Sequence, residues 1–221
     1  VVVANYNSHR QTVISGTVEG IDAVEELLGQ QQLKFTRLSV ATAFHSEVVS
    51  GSSKPFGAFL KKIPFKKPSL PVYSNSFAKP YPKTSGNMRV ILGEQLSKPV
   101  HFVTQIEAMY EAGIRTFIEV GPNAVLTNLV GQILDGKEHL AINLDRKGKN
   151  GITSFWNGIA KLAVEGVALD LAPLWAAFDE RVDPASISQP AMVLRINGAN
   201  SGKIYPPLEG SIALPAPNPE R

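Results

Sequence analysis

The pattern of hydrophobic and polar residues in the first forty positions predicts two strands, a helix and a third strand. VVVANY and QTVIS are rich in β-branched residues and are separated by the polar, turn-forming NSHR. Thr17 is a suitable cap for a helix over VEGIDAVEELL, which keeps its apolar residues on one face and ends at Gly29. FTRLSV, residues 35–40, predicts a returning strand. A helix packed on antiparallel strands predicts a small α+β layer.

Residues 45–145 alternate between strand and helix patterns. PVYSNS, TFIEVG and HLAIN are short, buried-type strands bounded by Pro or Gly. HFVTQIEAMYEAG predicts a helix that stops at Gly113, and GPNAVLTNLVGQIL predicts another with Pro122 in its first turn. Alternation of this kind predicts a parallel α/β sheet.

The composition of the chain changes at residue 147 and again near residue 180. KGKNG, residues 147–151, is a polar linker that leads into an amphipathic helix ending near Gly166, followed by a short extended piece with Trp175. From about residue 180 the sequence is rich in Pro, Ala, Ser and Asn and has little periodicity. Such a segment buries little apolar surface by itself, so we expect an extended arm that is disordered or laid on another domain.

The amino-acid composition reduces the number of functional classes to which this protein could belong. The 221 residues are 43% hydrophobic and 19% charged with a net charge of +3, and no stretch interleaves basic and aromatic residues, so we expect no nucleic-acid partner. The absence of cysteine excludes disulfides and thiolate chemistry. Without a long apolar run we expect no membrane association and a cytoplasmic location. The opening VVVAN has the pattern of the interior of a strand, which suggests that the chain is a piece of a longer polypeptide.

His45 is the candidate for acid–base chemistry. It follows a β-rich run and precedes a predicted helix, a junction at which α/β enzymes place working residues; the alternative is a capping or packed histidine. The other histidines, His9, His101 and His139, have no metal-ligand spacing to it or to each other, so we expect no metal site. The chain holds no G-x-S-x-G nucleophile elbow, which leaves a candidate base without a recognisable nucleophile.

Taken in order, the motifs resemble the C-terminal part of a malonyl-CoA:acyl carrier protein transacylase, the acyltransferase domain of fatty acid and polyketide synthases. VVVANYNSHRQTVISG resembles the family's entry into its small subdomain, and AFHS resembles the segment that holds its catalytic histidine. EQLSKPVHF and FIEVGPNAVLTNLV resemble its xQLxxPVxW and xxEVGPGxVLxxL segments. These matches run through residues 1–145 in the family's order.

The resemblance implies an α/β fold with a definite organisation. Residues 1–41 would be part of a ferredoxin-like α+β small subdomain, and 42–146 the C-terminal part of a parallel-sheet, α/β-hydrolase-like large subdomain. Residues 147–179 would form a terminal helix and post-acyltransferase segment, and 180–221 an extended linker arm. FWNGIAKLAVEGVALDLAPLW and KIYPP resemble segments that follow the acyltransferase in type I polyketide and polyunsaturated fatty acid synthases, with a ketosynthase and other synthase domains as partners.

The resemblance also implies a two-step mechanism. A Ser in a GHSxG elbow, an oxyanion-hole Gln and a carboxylate-binding Arg would all lie upstream, so this chain alone would be inactive. His45 would take the Ser proton, and the backbone carbonyl of Gln95 would accept its Nδ1–H; the alternative for Gln95 is an ordinary polar residue at a helix end. Malonyl-CoA would be the donor and the phosphopantetheine thiol of an acyl carrier protein the acceptor, with no bound cofactor.

Three further residues bear on the substrate. Malonyl-selecting members of the family often carry HAFH where methylmalonyl-selecting ones carry YASH, and this chain has TAFH. Phe44 and Thr42 would therefore contact the acyl group and favour malonyl, although Phe44 could equally be a core residue. Asn5, in the resembling entry segment, would be a third substrate-binding residue.

Other functions stay open at this point. A non-catalytic docking or linker module derived from an acyltransferase is the main alternative, and a thioester hydrolase with the same Ser–His chemistry is a weaker one. The basic runs KKIPFKK and DRKGKNG could attract an acidic carrier protein, but we favour solvated loops because surface charges contribute little.

Overall fold

The computed structural model describes residues 1–40, 42–176, 183 and 186, and the chain divides into two compact units, Val1–Leu169 and Asp170–Arg221. The strands are β1 Val2–Ser8, β2 Gln11–Ser15, β3 Tyr73–Ser74, β4 Lys79–Pro80, β5 Thr116–Glu119 and β6 Leu140–Asn143. The helices of the first unit are α1 Val18–Gln30, α2 Ser50–Leu60, α3 Ser85–Glu94, α4 Phe102–Glu111, α5 Val125–Ile133 and α6 Gly151–Val164, with a 3₁₀ turn at Glu47–Val49. The second unit contains α7, Ala172–Trp175.

The amino-terminal hairpin and helix confirm the first part of the prediction. β1 and β2 pair antiparallel, with Val3 opposite Ile14. Thr17 caps α1, because its side-chain oxygen accepts the backbone N–H of Gly20 at 3.2 Å. The helix ends one residue beyond Gly29.

The predicted strand at residues 35–40 is wrong. This segment is irregular and leaves Phe35, Leu38 and Val40 between 46% and 64% exposed. A strand needs a neighbour for its backbone hydrogen bonds, and no strand among the described residues pairs with it. Arg37 instead ties the segment to α1 through Asp22 at 2.7 Å and Glu25 at 3.1 Å.

The parallel unit β5–α5–β6 confirms the strand–helix alternation. Thr116 lies opposite Leu140 and Glu119 opposite Asn143, in a parallel register. A buried cluster formed by α4 and α5 supports this unit: Ile106, Val130, Ile133 and Leu134, against which Phe117 and Ala141 pack. The chain is therefore an α/β protein whose core lies on the β5–β6 sheet.

Helix α6 packs on β6 at very short range. A Cβ at Gly158 would lie 2.8 Å from Cδ2 of Leu144 and 3.2 Å from the backbone oxygen of Asn143, so only glycine permits this approach without a shift. The helix ends at Val164, and Gly166 takes φ +76° just beyond it, as expected of a helix that stops near that glycine.

Other sequence expectations need correction. PVYSNS contributes only β3, which pairs antiparallel with β4 and takes no part in the parallel sheet. Pro122 lies before α5 rather than in its first turn, because the side chain of Glu119 caps a helix that begins at Val125.

Trp175 ends a short helix, α7, that has Pro173 in its first turn, and is not extended. Of the predicted arm at 180–221, only residues 183 and 186 are described.

A backbone bridge joins the hairpin to the segment that precedes α4. Tyr6 donates its N–H to the carbonyl of Val100, and Val100 donates to the carbonyl of Ala4, both at 2.8 Å. Asn5 forms a parallel β-bridge with Val100 between these bonds. The hairpin is thus fixed beside residues 95–100, which also hold His45.

Candidate functional site

His45 is held by backbone carbonyls that follow α3. Its Nδ1 lies 3.0 Å from the oxygen of Gln95 and 3.0 Å from the oxygen of Lys98, and its backbone N–H donates to Leu96 at 2.9 Å. Carbonyl oxygens only accept hydrogen bonds, so in the neutral imidazole Nδ1 carries the proton and Nε2 the lone pair. The imidazole is therefore in the tautomer that a base acting through Nε2 requires.

The carbonyls are available because α3 ends at Glu94. The last carbonyls of a helix and those of the turn after it have no partner within the helix, and His45 supplies one. The side chains of this turn are also engaged: Ser97 lies 3.3 Å from Ser53 of α2, and Tyr81 donates to Oε1 of Gln95 at 3.4 Å. The fold therefore brings a helix end and a histidine fifty residues apart into one site.

The backbone of His45 is in the left-handed region, with φ +59°. A non-glycine residue pays about 1–3 kcal/mol for such a conformation, and the surroundings must hold it there. Ser46, which is buried, donates its hydroxyl to the carbonyl of Ala43 at 2.6 Å and accepts the N–H of Val48 at 3.3 Å. The tight turn Ala43–Ser46 thereby sets the direction of the imidazole.

Of the predicted substrate-binding residues, Phe44 lies within this turn and Thr42 directly precedes it. Phe44 is 52% exposed and lies outside the buried core of the described residues. Thr42 is half-buried. Asn5, also half-buried, lies on β1 and forms a β-bridge with Val100. Val100 is two residues beyond Lys98, whose carbonyl contacts His45. Their roles in binding stay predictions.

Two contributors to this geometry were not predicted from the sequence. Lys98 acts through its carbonyl, which every residue possesses, so no sequence pattern marks it. Ser46 was visible in AFHS, but its effect depends on a turn that closes back on Ala43. His9, His101 and His139 lie elsewhere: His101 stacks on Tyr6 at 5.3 Å, for example.

Other features of the described residues do not add a second reactive centre. They include no group of three or more His, Asp or Glu placed to hold a metal ion. In the same part of the chain, no helix has the length and apolar character needed to cross a membrane. A groove of about 680 Å³ between α5 and the start of β6, lined among others by Arg10, Gln132 and His139, contains none of the predicted site residues.

Glu119, at the end of β5, is a carboxylate with a perturbed pKa. Its oxygens accept the N–H of Leu126 at 3.1 Å and the N–H and hydroxyl of Thr127 at 2.8 and 2.7 Å. Burial acts to raise the pKa of Glu119, but the hydrogen bonds from Thr127 and Leu126 outweigh it and hold the pKa below the ordinary 4.5. The carboxylate is a cap for α5 and serves structure.

The family described as "Acyl transferase domain" matches residues 1–168. The chain belongs to this acyl transferase domain family. Among its curated relatives, a polyunsaturated fatty acid synthase of Thraustochytrium sp. (strain ATCC 26185 / S-3) is 30% identical over 98% of this chain and 8% of that protein. The malonyl CoA-acyl carrier protein transacylase of Bacillus subtilis (strain 168) is 34% identical over 60% of the chain and 42% of its own length.

Solved acyltransferases share the fold. The acyltransferase domain from the second module of the salinomycin polyketide synthase superposes with a TM-score of 0.73 at 25% identity, over 86% of this chain and 43% of that one. The transacylase MCAT of Streptococcus pneumoniae superposes with a TM-score of 0.63 at 31% identity, over 73% of this chain and 50% of that one. The chain thus spans about half the length of these solved acyltransferases.

Proposed function

We propose that this chain supplies the histidine half of a malonyl-CoA:acyl carrier protein transacylase active site. The observation that carries the proposal is the placement of His45 Nδ1 between the carbonyls of Gln95 and Lys98, which leaves Nε2 as a base. The family membership and the transacylase relatives support the choice of acyl transfer over other histidine chemistry.

In this proposal the nucleophile is a serine in the half of the acyltransferase fold that the chain does not span. His45 Nε2 takes the serine proton as the oxygen attacks the thioester carbonyl of malonyl-CoA, and then returns that proton to the departing CoA thiol. The product of this step is a malonyl ester of serine. His45 next takes the proton of the phosphopantetheine thiol of a carrier protein, whose sulfur attacks the ester, and returns the proton to serine.

The carbonyls of Gln95 and Lys98 take the place that an Asp has in many Ser–His enzymes. Neutral acceptors hold the tautomer and the ring orientation, but they stabilise the transient imidazolium less than a carboxylate does. Having two acceptors on Nδ1 partly offsets this difference, since both dipoles point their negative ends at the ring.

For the substrate we propose malonyl, with Phe44, Thr42 and Asn5 as binding residues. Phe44 directly precedes His45, and its exposed ring would limit the room beside the α-carbon of the bound acyl group. One extra methyl in a tight site is worth about 1–3 kcal/mol of discrimination. No cofactor is required, because the acyl group is already activated as a thioester.

The wider setting is also a proposal. Residues 1–41 belong to a ferredoxin-like small subdomain and 42–146 to the α/β-hydrolase-like large one, with 147–179 and the arm 180–221 leading to a ketosynthase and other synthase domains. The polyunsaturated fatty acid synthase of Thraustochytrium, of which this chain covers 8%, supports a large fatty acid or polyketide synthase as the setting. We propose a cytoplasmic location for it.

A completed enzyme tests this function. The amino-terminal half of the Thraustochytrium acyltransferase domain, fused ahead of Val1, is expected to form a malonyl-serine adduct detectable by mass spectrometry. His45→Ala should lower transfer to the carrier protein by about 10²–10⁴-fold, because it removes the general base. The control is His139→Ala, whose ring contacts the Lys137 carbonyl at an exposed position.

The outcomes separate the alternatives. Transfer at a normal rate by His45→Ala would refute the assigned role. A folded fusion that forms no adduct would favour the docking module, and an adduct that releases malonate instead of loading the carrier protein would favour a thioester hydrolase.

A further inference from the structure

The two carbonyls that contact His45 Nδ1 are held in different ways. Gln95 directly follows α3 and keeps helical backbone angles, so the helix fixes the direction of its carbonyl. The Lys98 carbonyl belongs to the peptide that Lys98 forms with Pro99, in the turn after the helix. Proline has no N–H and disfavours a helical conformation in the residue before it. The direction of the Lys98 carbonyl therefore depends on what holds the residues after Pro99.

Strand β1 holds those residues. Val100 exchanges two backbone hydrogen bonds with β1, each of 2.8 Å, and the N–H of His101 donates to the carbonyl of Asn75, also at 2.8 Å. The end of β1 is itself fixed, because Ser8, which is 5% exposed, donates its hydroxyl to Oε1 of Gln132 in α5 at 2.6 Å. The segment after Pro99 thus lies against a strand that cannot shift easily.

One pair of side chains reinforces this junction. The rings of Tyr6 and His101 are stacked, with centroids 5.3 Å apart and planes 9° from parallel. Tyr6 is 40% exposed and His101 is half-buried. Although His101 directly precedes α4, the described structure gives its side chain no capping hydrogen bond to that helix. The stack therefore joins β1 to the residue that follows Val100, beyond what the backbone bonds do.

We propose that Tyr6 and His101 are positioning residues for His45, because their stacked rings keep the Lys98 carbonyl in place at Nδ1. The inference rests on the proposed function, in which His45 becomes an imidazolium when it takes the serine proton. A hydrogen bond from a charged donor is stronger than one from a neutral donor, so the second acceptor contributes most in the transition state.

Loss of the stack should leave the Gln95 contact intact, because α3 holds that carbonyl independently. The Lys98 carbonyl should then move away from Nδ1, and the imidazolium should lose part of its stabilisation. The expected consequence is a slower chemical step with little change in substrate binding.

NMR of this chain tests the geometry directly, through the carbonyl-carbon chemical shifts of Lys98 and Gln95. Tyr6→Leu should move the Lys98 signal upfield, as expected for a weaker hydrogen bond, and should leave the Gln95 signal unchanged as an internal reference. Tyr6→Phe keeps the ring and should give the wild-type shifts. Phe155→Leu removes one ring of an edge-on aromatic pair in α6 and should move neither signal.

Kinetics test the consequence in the fusion enzyme described above. Tyr6→Leu should lower kcat by about 3–10-fold, the scale of an aromatic pair's interaction energy. The KM for malonyl-CoA should stay within about twofold of wild type, since the stack acts on the base and not on the substrate. His101→Leu should have the same effect, and the double variant should be no slower than either single one, because the two rings act as a unit.

The outcomes are decisive in both arms. An unchanged Lys98 signal in Tyr6→Leu, wild-type kcat, additive losses in the double variant, or no recovery with Tyr6→Phe would overturn the proposal. A raised KM with normal kcat would overturn it by assigning Tyr6 to substrate binding. If Tyr6→Leu does not fold, His101→Leu decides through the same signals. A wild-type fusion without a malonyl-serine adduct would refute the proposed function, whereas the NMR comparison would still decide whether the stack holds the carbonyl.

Discussion

At the scale of single residues, the orientation of His45 depends on its neighbour as much as on its acceptors. Ser46 both donates to Ala43 and accepts from Val48, which closes the turn that holds His45 at a positive φ. Hydrogen-bonded side chains that lock such turns are common where a reactive group must be held in one direction.

Ser46→Ala is therefore expected to destabilise the chain by about 1–3 kcal/mol, since the partly buried carbonyl of Ala43 loses its donor and the N–H of Val48 its acceptor. The nitrogen chemical shifts of the His45 imidazole should also show a smaller fraction of the Nδ1–H form. Urea unfolding and NMR measure the two effects.

Ser76→Ala is the matched control. Among the residues that the structure describes, the hydroxyl of Ser76 is buried without a hydrogen-bond partner, so its removal should be neutral or stabilising and should leave the His45 signals unchanged. Equal effects of the two substitutions would show that Ser46 has no special part in the turn.

At the scale of elements, α5 begins where it does because a carboxylate caps it. The negative charge of Glu119 at the helix N-terminus is favoured by the unpaired N–H groups there and by the helix dipole. The same contacts connect the end of β5 to α5 and so set the geometry of the β5–α5–β6 unit.

Glu119→Gln should lower stability at pH 7 by about 1–2 kcal/mol, because a charged acceptor is replaced by a neutral one. The folded pKa lies below the unfolded value, so this contribution is fully present above pH 4.5 and is lost as the pH falls through the folded pKa. The stability difference between wild type and variant should therefore shrink on acidification.

Chemical denaturation at several pH values between neutral and about pH 3 measures that difference. Glu165→Gln, at an exposed position after α6, is the control and should change stability by less than about 0.5 kcal/mol. A difference that stays constant through the acidic range would contradict the capping role.

The packing of α6 on β6 makes a second prediction at this scale. Gly158→Ala should destabilise by about 1–3 kcal/mol, because its Cβ would contact Leu144 and the backbone of Asn143 and push the helix outward. Gly131→Ala in α5, where a Cβ meets nothing within 4 Å, should instead stabilise by up to about 1 kcal/mol. Thermal unfolding of the two variants compares them, and a stabilising Gly158→Ala would show that the contact is relaxed.

At the scale of the whole molecule, one buried cluster joins α4 and α5 beneath the parallel sheet. Leu134 has no exposed surface, and Ile106, Val130 and Ile133 surround it. The apolar side chains outside this cluster include many that are half-exposed, so the small core carries a large share of the stability.

Leu134→Ala should accordingly cost about 2–5 kcal/mol, as expected for the loss of a fully buried side chain together with the cavity it leaves. Leu27→Ala, at a position of α1 that is 55% exposed, should cost less than about 1 kcal/mol. Equilibrium unfolding in urea measures both, and similar values would mean that the core does not lie where the structure places it.

Local patterns account for much of what was predicted correctly. The hairpin, the Thr17 cap and the β5–α5–β6 unit each depend on residues within a few turns of one another, and all three are present. The prediction of a strand at residues 35–40 was wrong because a strand needs a partner for its backbone hydrogen bonds, and that partner would lie far away in the sequence. The predicted position of Pro122 in the first turn of α5 was wrong because the side chain of Glu119, a residue outside the predicted helix, caps α5 at a later residue.

The amino-acid sequence alone determined the order of the elements, the candidate base and the family that its motifs resemble, because periodicity, caps and short motifs are read along the chain. Only the tertiary structure decided that the Lys98 carbonyl joins Gln95 on Nδ1, that His45 has a positive φ and that residues 35–40 form no strand. The carbonyl contacts of His45 join residues fifty or more positions apart, and because a backbone carbonyl is the same in every residue, no sequence pattern marks them.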